Sequence, residues 1–173
     1  HNVAPVIKSR QYTRFSPVID NNRMYITGLN RVYCLDLITG ATLWEKKLSK
    51  TLMYCNLIQY NNYIIAQANG SGSWALDKYT GALVWNNPYS EGVSYGGRRL
   101  VDGVLYHTSS AGHIWAIDAA TGKTLWNMRS PNTYFPKTDL AGFNYSSVYV
   151  DSVRQVLYAS DRYFMMCFKL PER

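Results

Sequence analysis

The stretch Asp118-Ala-Ala-Thr121-Gly122-Lys-Thr-Leu-Trp126 has two earlier copies, Asp36-Leu-Ile-Thr39-Gly40-Ala-Thr-Leu-Trp44 and Asp77-Lys-Tyr-Thr80-Gly81-Ala-Leu-Val-Trp85. Asp, Thr, Gly and Trp keep their places while the residues between them drift, and each tryptophan follows the last by 41 residues. A period of about 40 residues filled with short apolar runs predicts an all-β chain, a β-propeller built from four-stranded antiparallel blades.

Outward from each phrase, the strands fall into place. Val18-Ile19, Met24 to Ile26, Val32 to Leu35 and Thr42 to Trp44 are apolar runs separated by Asp20-Asn21-Asn22, Gly28-Leu-Asn30 and the Asp-Thr-Gly turn. The pattern predicts blades over roughly 15–48, 55–88, 98–129 and 145–170, which makes about 3.5–4 blades in all. The last repeat has Val148 to Val150, Val156 to Ala159 and Phe164 to Phe168, but neither a turn phrase nor a fourth strand. Residues 1–14 form a separate N-terminal segment, and its Val3 to Ile7 is a candidate strand donor for a neighbouring blade.

The phrase has a mechanical reading. A tight reversal between third and fourth strands needs a residue at positive φ, which glycine tolerates without steric cost. An Asp four residues earlier, and the Thr beside the Gly, can satisfy the turn amides. The Trp then lies on the outer strand, where its indole can pack on the adjacent blade. Asp36, Thr39, Gly40, Trp44, Asp77, Thr80, Gly81, Trp85, Asp118, Thr121, Gly122 and Trp126 are therefore structural residues. One Asp per blade points around the circumference instead of converging on a metal.

With Ala116, Asp118, Thr121, Gly122, Lys123 and Trp126, the third repeat resembles the tryptophan-docking motif of the pyrroloquinoline-quinone-like repeat β-propellers, the quinoprotein alcohol dehydrogenase-like superfamily. The second repeat keeps Ala75 but has Ala82 in place of Lys, and the first has Cys34 and Ala41 at the same two places. The resemblance covers roughly residues 15–170 and implies that the tryptophans dock neighbouring blades. It also implies two kinds of relative. Quinone-dependent dehydrogenases carry the quinone (PQQ) and calcium on the axis, with an adjacent cysteine pair; others, such as the bacterial outer-membrane assembly lipoprotein, are binding scaffolds. This chain has no Cys-Cys, and no stretch offers the calcium ligands. No cofactor is expected, with PQQ and calcium reserved for the dehydrogenase alternative.

Composition fits a globular protein, and no apolar run approaches the roughly 18 residues of a membrane span. The net charge is +7, but the basic residues are scattered, with only Lys46-Lys47 and Arg98-Arg99 adjacent. That disfavours nucleic acid and leaves an acidic partner or anionic surface open. Cys34, Cys55 and Cys167 match neither a zinc pattern nor a disulfide framework, and Cys34 and Cys167 are expected to be buried as small hydrophobes. His1 in place of Met, with the sequons Asn69-Gly-Ser71 and Asn144-Tyr-Ser146, tilts the reading towards a secreted, periplasmic or lumenal protein and marks Asn69 and Asn144 as glycosylation candidates.

No nucleophile elbow, phosphate-cradling loop or metalloprotease motif occurs, so no catalytic residue is assigned. His107 and His113 flank one hairpin and lack further zinc ligands. The better candidates lie on the face formed by the second-to-third-strand connections and the inter-blade loops. Arg31, Tyr95, Arg98, His113, Tyr134, Asp161 and Arg162 recur there, suiting a protein, glycan or anionic ligand. The leading expectation is a non-catalytic binding or scaffold module. The alternatives are a portion of a PQQ/calcium dehydrogenase or a carbohydrate-binding propeller. Because closed propellers take about four to eight blades, another chain, a second copy being the simplest case, or another part of a longer precursor is expected to complete the ring.

Overall fold

The computed structural model describes residues 16–49, 52, 56–68, 72–88, 98–109, 111–131, 142–143, 148–161 and 164–171. They form four antiparallel sheets, as a partial β-propeller requires. The first holds β1 (Val18–Asp20), β2 (Arg23–Thr27), β3 (Arg31–Asp36) and β4 (Thr42–Lys47), in chain order. The second holds β5 (Ile58–Tyr60), β6 (Tyr63–Ala68), β7 (Gly72–Asp77) and β8 (Leu83–Asn87). The third holds β9 (Arg99–Val101), β10 (Val104–Thr108), β11 (His113–Asp118) and β12 (Thr124–Arg129). The fourth has three described strands, β13 (Tyr149–Asp151), β14 (Val156–Ser160) and β15 (Met165–Lys169). Two compact units divide them, His1–Tyr89 with the first two sheets and Ser90–Arg173 with the last two. No helix among the described residues is long and apolar enough to cross a membrane, which bears on helical spans alone.

Each Asp-Thr-Gly turn is wired alike. Asp36 Oδ1 accepts hydrogen bonds from the amides of Ile38 and Thr39 at 3.0 and 2.7 Å and from the Thr39 hydroxyl at 2.9 Å. The Thr39 hydroxyl in turn accepts from the Ala41 amide at 3.3 Å. Asp77 with Thr80, and Asp118 with Thr121, repeat the set within 0.1 Å. The Thr39 amide and then its hydroxyl hold the Asp36 carboxyl below its ordinary value. At Asp77 and Asp118 burial is the largest single influence and pulls upward, but the turn hydrogen bonds together outweigh it and the net direction is down. The three glycines take φ of 71°, 72° and 74°. A register shift follows in every β3-type strand, between Cys34 and Leu35, Ala75 and Leu76, and Ala116 and Ile117.

A second bond repeats through the blades. The amide after the Asp donates to the carbonyl of the inner hairpin: Leu37 to Asn22, Lys78 to Asn62 and Ala119 to Gly103, at 2.8–2.9 Å. Leu170 donates to Gln155 at 2.8 Å in the fourth sheet, which therefore ends on the same pattern.

Within the first unit, Trp44 shows how one sheet seats on the next. Its ring lies so close to Gly81 that a Cβ there would sit 2.7 Å from Trp44 Cε3. Its Nε1 donates to the Lys78 carbonyl at 3.0 Å, and the Tyr25 hydroxyl donates to the same oxygen at 3.1 Å. Lys78 Nζ, mostly buried, reaches back to Asp20 Oδ2 at 2.7 Å. Tyr25, Cys34, Trp44, Ile64 and Leu76 join one buried cluster. In the second unit Tyr106, Ala116 and Leu157 do likewise, with Trp126 packed against them.

Cys34 is buried as expected, but Cys167 is exposed. The difference follows from the sheets. Cys34 pairs in register with Trp44 on the fourth strand, whereas Cys167 lies on β15, the outermost described strand of its sheet.

Gly81→Ala should lower stability by about 1–2 kcal/mol from the left-handed backbone alone, and further through the Trp44 clash. Gly28→Ala meets only the Tyr33 ring, at 3.0 Å, which can shift. Thermal melts of the two variants check this, with the larger fall in Tm expected for Gly81→Ala. Tyr25→Phe should cost about 1 kcal/mol, one hydrogen bond. A double-mutant cycle with Trp44→Phe should show coupling, because both side chains donate to one oxygen.

Candidate functional site

Sheet register gathers the polar residues of the third sheet at one strand end. Arg99 pairs with Tyr106, which sets Arg98 level with His107, and His107 pairs with Trp115. Strand alternation then puts Arg98, His107, Trp115 and His113 on one face. His107 and Trp115 stack at 6.2 Å with planes 10° apart, and His113 and Trp115 at 6.1 Å with planes 26° apart. Three rings thus lie in a row, with Trp115 in the middle and His113 at one end half-buried and His107 at the other end fully buried.

The β10–β11 turn fixes this row from below. Ser109 N donates to the His113 carbonyl at 2.8 Å, and the His113 amide returns a bond to Ser109 Oγ at 3.2 Å. Phe143 N donates to the Ser109 carbonyl at 3.2 Å, and Thr108 Oγ1 donates to the Phe143 carbonyl at 3.3 Å. Ser130 N, after β12, donates to the Gly112 carbonyl at 2.6 Å. The turn is held from three directions, so the imidazole of His113 is carried on a rigid base.

Burial first, and then the Arg98 charge, push the His107 imidazole down to about 3, against an opposing bond to the Thr108 backbone. His107 is therefore neutral at physiological pH and is no general base there. Its linkage has a definite sign. The unfolded chain takes up a proton near pH 6.5 that folded His107 refuses until about pH 3. Stability from this residue is complete above that unfolded value and is lost as pH falls through the window.

The other candidates separate. Arg98 is only 6% exposed, so it stands behind the ring row and not on a solvated rim. Arg31, at the start of β3 in the first unit, pairs with Glu45 at 2.6 Å. Asp161 closes the β14–β15 turn: its Oδ1 accepts from the Phe164 amide at 2.7 Å and its own amide donates to the Phe164 carbonyl at 3.0 Å. Arg31, His113 and Asp161 occupy equivalent strand ends of their own sheets, and the register brings together Arg98 and His113 alone. Tyr95, Tyr134 and Arg162 lie outside the described residues, as do Asn69, Asn144, Cys55 and the Val3 to Ile7 segment.

Sequence reasoning passed over Trp115 and treated His107 as an ordinary strand-end residue. The signal was present in His113-Ile-Trp115, two aromatic residues at strand spacing, facing His107 across a short turn. Among the described residues, no three of His, Cys, Asp and Glu gather to hold a metal ion. The three repeated carboxylates are each committed to their own turn.

His107→Gln should flatten the decline in stability between pH 6.5 and 5, a slope of at most ~1.4 kcal/mol per pH unit. Urea unfolding at stepped pH measures it. Equal slopes for the variant and the parent would remove the assignment.

The family model described as outer membrane protein assembly factor BamB matches residues 7–133 and 61–161, overlapping spans that take in most of the chain. No curated protein matches it significantly. Among solved structures, BamB from Moraxella catarrhalis superposes with a TM-score of 0.68 at 21% identity, over 89% of this chain and 45% of that one. Quinohemoprotein alcohol dehydrogenase from Comamonas testosteroni gives 0.67 at 20%, over 88% and 29%. The computationally designed Ika4 protein gives 0.69 at 9%, over 99% of both chains. The chain thus spans less than half the length of the two natural proteins, and identities at this level establish the fold.

Proposed function

The chain belongs to the PQQ-like repeat β-propeller family described as outer membrane protein assembly factor BamB, and from that membership we propose that it is a non-catalytic binding module. It serves as one part of a larger propeller or assembly and engages a protein partner outside the cytoplasm. The observation that carries the reading is the division of labour along the strands. At one end every Asp, Thr and Gly is consumed in its own turn. At the other, the third sheet offers the rigidly held, half-buried rings of His113 and Trp115, backed by the buried side chains of His107 and Arg98. Flat rings on a fixed base give contact area at little entropic cost, as protein interfaces favour.

The quinone-dependent dehydrogenase is the second reading, favoured by the likeness to the Comamonas enzyme's fold. It requires ligands beyond those the described residues supply. A glycan stacked on the ring row is a third.

A photo-crosslinking residue at position 113 should capture a partner from an envelope extract of the source cells. The same residue at position 120, exposed at the opposite end of the same sheet, should not. Equal capture from both ends would sink the proposed face. A rise in Tm with pyrroloquinoline quinone and calcium, together with dye-linked alcohol oxidation, would replace it with the enzyme reading. Binding on a glycan array that His113→Ala abolishes would replace it with the carbohydrate reading.

A further inference from the structure

The first and third sheets can be compared position by position at the strand end that carries the ring row. In the first, Arg31 opens β3 and pairs with Lys47 on β4; in the third, His113 opens β11 and pairs with Arg129 on β12. Two residues earlier on the outer strand, Glu45 lies across from Tyr33 and Asn127 across from Trp115. Strand alternation puts each set of four on one face of its own sheet. The first sheet supplies an acid here from its own chain, because Glu45 Oε1 accepts from Arg31 Nη1 at 2.6 Å. The third sheet has the bases without the acid. Asn127 and Arg129 are both exposed, and among the described residues no carboxylate pairs with Arg129.

The surrounding charge is of one sign. Among the described residues of the second unit, Arg98, Arg99 and Arg129 stand at this strand end against Asp161 alone. Asp161 is held by the Phe164 amide. At the opposite end Asp102, Asp118 and Asp151 offset Lys123, Arg154 and Lys169. On the reading of the ring row as a protein-binding face, on which this step rests, we propose that the partner is an acidic segment. One of its carboxylates takes, in the third sheet, the place that Glu45 fills in the first. Arg129 bonds that carboxylate as Arg31 bonds Glu45, His113 supplies a second donor from across the strand pair, and Trp115 packs on the segment's aliphatic carbons.

The imidazole makes the contact depend on pH. Imidazole ordinarily takes up a proton near pH 6.5, and a carboxylate beside it favours the charged form. Binding therefore takes up a proton and tightens as pH falls from 7.5 to 5.5, a range in which Asp and Glu ordinarily stay ionised. The groups around His113 keep that sign. On β10, His107 is neutral over this range. Arg98 behind it and Arg129 on β12 oppose a charge on His113 while the site is empty, and a bound carboxylate offsets them.

The probe is an array of synthetic peptides in which every Asp or Glu member has a matched Asn or Gln counterpart, read with the full chain at pH 7.5 and 5.5. Acidic members should be held over their counterparts by about fivefold, the scale of one partly exposed ion pair, and by more at pH 5.5. Arg129→Gln should remove the preference, and His113→Gln its pH dependence. Asn127→Glu should also remove it, since the chain then carries the carboxylate that a partner would bring. In that variant the His113 ring should titrate at higher pH than in the parent, followed by NMR, with circular dichroism confirming each fold. No preference for acidic members overturns the proposal, as does one that survives both Arg129→Gln and Asn127→Glu. A neutral glycan as the true ligand would give the first of these results. An unmoved His113 titration in folded Asn127→Glu overturns it as well. Crosslinking at position 113 is read separately: capture there without an acidic preference keeps the binding face and removes the acidic partner, whereas equal capture at positions 113 and 120 removes the face itself.

Discussion

The carbonyl oxygen of Lys78 accepts from the Tyr25 hydroxyl and the Trp44 indole, two donors on a neighbouring sheet. That convergence fixes the spacing of the two sheets in the first unit. The carbonyl is aimed by the Asp77–Thr80 turn, and the turn is narrow enough for Trp44 only because Gly81 has no Cβ. The Lys78 ammonium returns to Asp20 on the first sheet, so one residue holds its neighbour by both backbone and side chain. Burial, foremost, raises the Tyr25 pKa far above its ordinary value, so the phenol stays a hydrogen-bond donor over the physiological range. A hydrophobic contact alone would let the sheets slide; two directional bonds to one oxygen do not.

This constraint explains why the fold was so legible. Asp, Thr, Gly and Trp recur because each does one geometric task that no other residue type does as well, and their spacing is the blade's own length. The short strands followed from apolar runs between turn residues, and they appear within one to three residues of where the pattern put them. Asn21, Asn61 and Asp102 take positive φ at the inner hairpins, as residues tolerant of that region do. The fate of Cys167 was not legible, because burial there depends on a covering strand and not on the apolar phrase around the thiol.

The site was less readable for a related reason. Its parts come from the residue before β9 and from β10 and β11, and only the register shows that Arg98, His107 and Trp115 share a row. Arg98 read as a loop cation because it stands between glycine-rich sequence and a strand. In the fold it directly precedes the inner strand β9 and is buried. Composition cannot distinguish these cases, since the same guanidinium serves as a rim contact or as a buried charge that depresses a neighbouring imidazole.

Regularity and variation are therefore segregated along the strands. A repeat that satisfies its own polar groups in every blade leaves that end little freedom to vary without loss of the fold. Variation is cheapest at the opposite end, where the connections differ in length and the third sheet alone among the four carries two histidines beside a tryptophan. The aromatic at the Trp115 position has counterparts in Tyr33 and Trp74, so the ring itself belongs to the scaffold. His107 and His113 do not recur at the equivalent places. What distinguishes the third sheet is therefore the pair of imidazoles added around a shared aromatic, on a turn that Phe143 and Ser130 tie down much as Leu48 and Leu52 tie the β2–β3 turn.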